Sequence, residues 1–141
     1  MGRFICTFGM GLVVAMVSGC ATKAPLGRVE GVVTLDGKPL PKVEVQFLPD
    51  PSAGASARRS LGYTDDQGRF SLRTDDGEVG AAVCNHRVCL IDVVARTHRR
   101  GEMKKSRIPP QYGNATQTPL TAISVTEGEQ SIEIKVDRNR R

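Results

Sequence analysis

The stretch Cys84-Asn85-His86-Arg87-Val88-Cys89 puts two thiols and an imidazole within one short segment, the side chains that bind zinc or form a disulfide. Zinc takes about four convergent ligands. In an extended strand Cys84 and His86 share one face and Cys89 points to the other, and His98 is the only other histidine. No metal site is therefore expected. A disulfide between Cys84 and Cys89 would suit an exported chain. It needs Cα atoms within about 7 Å, whereas five extended residues span about 16 Å. The bond requires a strand that starts late, near Val88, after a tight loop. Otherwise the two are thiols, Cys89 buried and Cys84 in a turn. Asp65, Asp66, Asp75, Asp76 and Glu78 lack EF-hand spacing, and calcium needs six or more oxygens, so they read as turn residues. No Ser-His-Asp set, paired-carboxylate motif or phosphate loop is visible. Neither catalysis nor a cofactor is expected.

The sharpest charge feature is the run 96–107. Arg96, Arg99, Arg100, Lys104, Lys105 and Arg107 stand there against Glu102 alone. Arg138, Arg140 and Arg141 make a basic tail at 137–141. One reading of the run is a solvated loop. The other is contact with an anionic envelope component, such as headgroups, glycolipid or acidic polysaccharide. The whole chain has 141 residues, a formal charge of +5, 4% aromatic residues and no Trp. Stacking on sugars is thus disfavoured, and any glycan contact should be ionic. Nucleic acid is not an expected partner, because no aromatic platform interleaves with the basic residues.

Residues 1–19 contain one charge, Arg3, followed by an apolar run over 4–17. That is short for a spanning helix, which needs roughly 20 residues. A basic start, a short apolar stretch and small residues at the end mark an export signal. Its last residues with the next, Val17-Ser18-Gly19-Cys20, look like a bacterial lipobox, whose cysteine is acylated and becomes the new N terminus. The resemblance implies lipidation at Cys20, membrane attachment through it, and a short tether over 20–26. Ala21 in place of Asp points onward to an outer membrane. Export also takes the chain away from nucleic acid.

Beyond the tether, apolar residues recur at period two between Gly, Pro and Asp clusters, the mark of short half-buried strands. Strands are predicted over 28–35; 42–47, with Val43, Val45 and Phe47 inward; and 60–64, with Leu61 and Tyr63 on one face. Others are 69–73, with Phe70 and Leu72 inward, and 86–95, the most apolar and hence central. Residues 97–118 form a long polar connection. Strands 120–125 and 131–136 make a final hairpin around Glu127-Gly128-Glu129. Seven strands and no helix predict an all-β, seven-stranded antiparallel sandwich over 27–136.

Three segments carry a further resemblance: Gly31-Val-Val-Thr-Leu-Asp-Gly-Lys-Pro-Leu40, Thr64-Asp-Asp-Gln-Gly-Arg-Phe70, and Gly80 with His86-Arg87-Val88. Their order and spacing resemble the carboxypeptidase regulatory-like domain, a transthyretin-like sandwich. Ile108-Pro-Pro-Gln-Tyr112, Thr118-Pro-Leu120 and Val125-Thr-Glu-Gly128 are similar to bacterial surface lipoproteins that carry it. The domain has no peptidase residues of its own, so the resemblance implies an accessory or binding module. It places His86 at the start of a buried strand, its ring bonded to nearby backbone; Cys84 departs from the Gly expected there. The function expected is that of a non-enzymatic, envelope-anchored lipoprotein whose sandwich serves binding or adhesion. The alternative is a structural spacer or assembly component of the envelope without a soluble ligand.

Overall fold

The computed structural model describes residues 22–96 and 104–139. Alternating side chains build two sheets. β1 (Leu26–Leu35) turns Val29, Val33 and Leu35 inward. Asp36 and Gly37 then reverse the chain at φ 49° and 81°, left-handed values that glycine adopts freely and aspartate tolerates. β2 (Lys38–Pro39) folds back on β1, and the chain crosses at Pro41-Lys42 into β3 (Val43–Pro49). Val43, Val45 and Phe47 of β3 are fully buried. There follow β4 (Ser60–Tyr63), β5 (Arg69–Ser71), β6 (Arg73–Thr74), β7 (Ala81–Ala82) and β8 (Asn85–Asp92). A four-residue helical turn, α1 (Val93–Arg96), precedes β9 (Ile123–Ser124) and β10 (Gly128–Val136).

In the first sheet β1 is central. β10 lies along one of its edges, and β7, β5 and β2 follow one another along the other. The second sheet has the order β6-β4-β3-β8-β9. Phe47, Leu72, Val88, Leu90 and Ile134 are among the side chains that fill the single core between them. The chain is thus mostly β and folds as two packed sheets.

Several sequence expectations change. Ten strands among the described residues replace the seven expected, partly because the segment 69–73 is divided. Leu72 N donates to Val29 O at 3.1 Å in the first sheet, while Arg73 and Thr74 pair with β4 in the second. The expectation of an all-antiparallel fold fails at β1 and β10, which run parallel from Gly27 opposite Gly128 to Leu35 opposite Val136. The expected final hairpin is absent. β9 pairs with β8, the chain turns between sheets around Gly128 (φ 90°), and β10 then rises beside β1. The strand expected to reach Ala95 stops at Asp92, whose carboxylate accepts Val94 N–H at 3.1 Å and starts α1 as a capping residue does. In β4 Leu61 and Tyr63 do share a face, and it is the outer one: Ser60 and Gly62 are buried, while Tyr63 is 61% exposed. A Cβ at position 62 would lie 2.5 Å from Ser71 O, so only glycine lets the strands approach there. Ile108 and Tyr112, placed by the sequence in a polar connection, are buried in the core.

β1, β4, β8 and β10 all run from one end of the sandwich, here the near end, to the other, the far end; β3 runs back. The near end gathers residues 22–25, the loop after β3, the turn 75–80, Cys84 and Gly128. The far end gathers the turn at Asp36, the turn 65–68, residues 92–96 and 104–107, and Arg138. A ten-residue strand such as β1 separates the two ends by roughly 33 Å.

Candidate functional site

Lys23, a residue of the expected tether, is not loose. Its ammonium pairs with Glu78 at 2.9 Å and Asp76 at 3.2 Å. Hydrogen bonds to Glu78 and Asp76 raise the Lys23 pKa above the ordinary lysine value. Pro25 O accepts Val83 N–H at 2.9 Å. The chain is therefore docked on the near end from Lys23 onward; Cys20 itself lies outside the described residues. Three arginines of this end are paired too: Arg59 with Asp75 at 2.8 Å, Arg58 with Asp76 at 3.8 Å, and Arg28 with Glu30 and Glu129; Arg73 donates to Gly77 O instead, and Arg87 has no ion-pair partner among the described residues. Asp75, Asp76 and Glu78, weighed as calcium ligands, thus bind cations of the chain itself. The Asp65 carboxylate accepts the backbone N–H groups of Gln67 and Arg69, a turn device. Among the described residues no group of three or more His, Cys, Asp or Glu converges to hold a metal ion.

Cys84 and Cys89 are both free thiols. The disulfide reading needed the strand to begin near Val88. β8 begins at Asn85, so extended backbone holds the two cysteines apart. Burial pushes the pKa of both thiols up. Cys84 Sγ lies 3.4 Å from His86 Nε2, which suggests a nucleophile and its base, but the proton positions oppose this. Nε2 lies 2.8 Å from Ala82 O, an acceptor only, so Nε2 carries the hydrogen and has no lone pair for a thiol proton. The basic nitrogen is Nδ1, buried and without a partner. Burial lowers the His86 pKa, against the pull of the Ala82 bond, and keeps the ring neutral. The ring packs 5.5 Å from the Phe47 ring. His86 is a core residue whose ring bonds backbone.

The far end carries the basic residues. Of those singled out from sequence, Arg99 and Arg100 lie outside the described residues. Arg107 is no surface contact: its guanidinium holds the buried Asp92 carboxylate at 2.7 and 3.0 Å and donates to Pro41 O at 2.9 Å. Burial would raise the Asp92 pKa, but the side-chain and backbone hydrogen bonds from Arg107 outweigh it and hold the carboxyl below the usual aspartate range. This latch fixes residues 104–107 beside the crossing at Pro41-Lys42. Arg96 is 3.8 Å from Glu44, and Arg138 is 3.2 Å from Asp36. Lys104 and Lys105 are exposed and form no ion pair among the described residues. Lys38 and Lys42, not singled out from sequence, join them at this end without an ion-pair partner among the described residues. Lys42 has φ 58°, a left-handed conformation that costs a residue with a Cβ about 1 kcal/mol. The Pro41-Lys42 step at a strand start was the available signal. A groove of about 350 Å³ runs here between Asp92, Arg96, Ser106 and Pro110.

Set against known proteins, the chain matches no family model, no curated protein and no solved structure. What fold and site define together is a two-sheet β protein with mostly paired charges at one end and, at the other, lysines without an ion-pair partner among the described residues.

Proposed function

We propose that the chain is a non-catalytic lipoprotein of a bacterial envelope, acylated at Cys20, whose sandwich is a binding module of the carboxypeptidase regulatory-like kind. The observation that carries this reading is the docking of Lys23 and Pro25. Three residues after the cysteine of the lipobox-like motif the chain is already seated on the folded body, so an anchor at Cys20 would hold the sandwich close to the membrane. Several acyl chains, at about 0.8 kcal/mol per buried CH₂, would hold the protein at the membrane essentially permanently. The motif after Cys20 favours an outer membrane.

The test is Cys20→Ser in the full chain, with fractionation after a high-salt wash and labelling with an alkyne fatty acid. The wild type should label and stay with membranes; the variant should do neither. A variant that still pellets with membranes after the wash overturns the lipoprotein reading.

A further inference from the structure

We infer that the far end is the binding end, and that it takes a polyanionic glycan rather than the bilayer that holds Cys20. The inference rests on acylation at Cys20 for its orientation. Lys23 and Pro25 bind the near end, so only two residues, Ala21 and Thr22, separate Cys20 from the docked chain. That is too little chain for the domain to turn over. β1 then carries the far end roughly 33 Å from the anchor, several times the screening length of about 8 Å at physiological salt. Charges there feel little of the anchoring bilayer.

The two ends differ in which charges are available. At the near end Lys23, Arg28, Arg58 and Arg59 are ion-paired and acids surround them; Arg73, bonded to Gly77 O, and the half-buried Arg87 are the near-end cations without an ion pair among the described residues. At the far end Lys38, Lys42, Lys104 and Lys105 have no ion-pair partner among the described residues. The Arg107–Asp92 latch places residues 104–107 against Pro41, next to Lys42. Lys42 and, two and three residues before Arg107, Lys105 and Lys104 thus come from two separate segments to one end of the sandwich.

The chemistry such a surface recognises is a row of carboxylate or phosphate charges. A second bilayer would be gripped better with apolar side chains to insert. Of the large hydrophobic residues exposed among those described, Val79 belongs to the near end and Tyr63 alone stands at the far end, its hydroxyl donating to Glu44 at 3.3 Å. A flexible polymer reaches the lysines without drawing two surfaces together, and with no Trp in the chain its grip is ionic.

The experiment uses the full acylated protein, reconstituted in phosphatidylcholine vesicles. The probes are fluorescein-labelled alginate and, separately, protein-free phosphatidylglycerol vesicles. Flotation at low and high salt reads both anchoring and capture. The wild type should float alginate at low salt and release it at high salt. The variant Lys42→Glu/Lys104→Glu/Lys105→Glu, its fold checked by circular dichroism, should bind alginate at least tenfold more weakly. Glu127→Lys at the near end should change nothing. Equal alginate binding by the triple variant overturns the inference. So does capture of phosphatidylglycerol vesicles without alginate, or alginate binding in detergent that vanishes on reconstitution. If the wild type does not float, the anchoring reading fails, and the orientation inferred here fails with it. Alginate anisotropy on the unanchored protein then still decides whether those lysines bind.

Discussion

Arg107→Ala removes the guanidinium and leaves the Asp92 carboxylate, whose side chain is 2% exposed, with only two backbone N–H donors, those of Val94 and Arg107. Breaking one side of a buried pair costs about 3–5 kcal/mol. The Arg107 side chain is 32% exposed, which favours the lower figure, about 3 kcal/mol. For a domain of this size that is a fall in Tm of about 10 °C. Asp92→Ala loses the same pair and also the acceptor for both N–H groups, so it should cost at least as much. If the pair acts as a unit, the double variant costs no more than Asp92→Ala alone, a coupling of about 2–3 kcal/mol. Urea unfolding of the four proteins measures this cycle. pH supplies an independent check. The folded Asp92 pKa is depressed, so its contribution is complete above about pH 4, the unfolded value, and is lost as pH falls through the folded value. The gap between wild type and Arg107→Ala should therefore close in acid. Additive single effects, or an Arg107→Ala cost below about 0.5 kcal/mol, the range of ordinary surface changes, would refute the latch.

Three further outcomes are expected. Reductant should leave Tm unchanged, because Cys84 and Cys89 are unbridged; a fall of about 8 °C or more, the scale of a lost bridge, would restore the disulfide. Gly31→Ala should cost about 2 kcal/mol or more through overpacking, since its Cβ would lie 2.6 Å from the Phe70 ring and against Ile132 O; Gly113→Ala, whose Cβ would meet Leu90 O at an ordinary 3.6 Å, should stay within about 0.5 kcal/mol by the same urea assay. The depressed His86 pKa gives stability that is whole above about pH 6.5, the unfolded value, and declines as pH falls below it, so wild type should lose stability between pH 7 and 5 more steeply than His86→Phe; equal slopes would show that the ring charges freely in the fold.

Period-two alternation made β1, β3 and the core side of β8 legible, because each strand has one wet and one buried face. Val43, Val45, Phe47, Phe70 and Leu72 are buried as that alternation demands. It could not reveal which sheet a strand joins. Pairing partners are set by contacts distant in sequence, and residues 120–136 read equally well as a hairpin or as two strands of different sheets. Nor could it show the inward glycines, Gly31 beneath Phe70 and Gly62 beneath Ser71, since a missing side chain has no hydropathy. At the site, counting charges found the basic run but treated its members alike. Arg107 differs from Lys104 because a buried Asp92, 15 positions away, claims it. Tyr112 was hidden by polar neighbours, although its ring lies in the core and its hydroxyl accepts Asp137 N–H at 3.4 Å.

The parallel union of β1 and β10 has a mechanical consequence. The chain comes in at the near end of β1 and goes out at the far end of β10. A pull before Gly27 and an opposing pull beyond Val136 would slide these neighbours past each other lengthwise. Their bonds, from Gly27–Gly128 to Leu35–Val136, would then share the load together instead of opening one by one like a zipper.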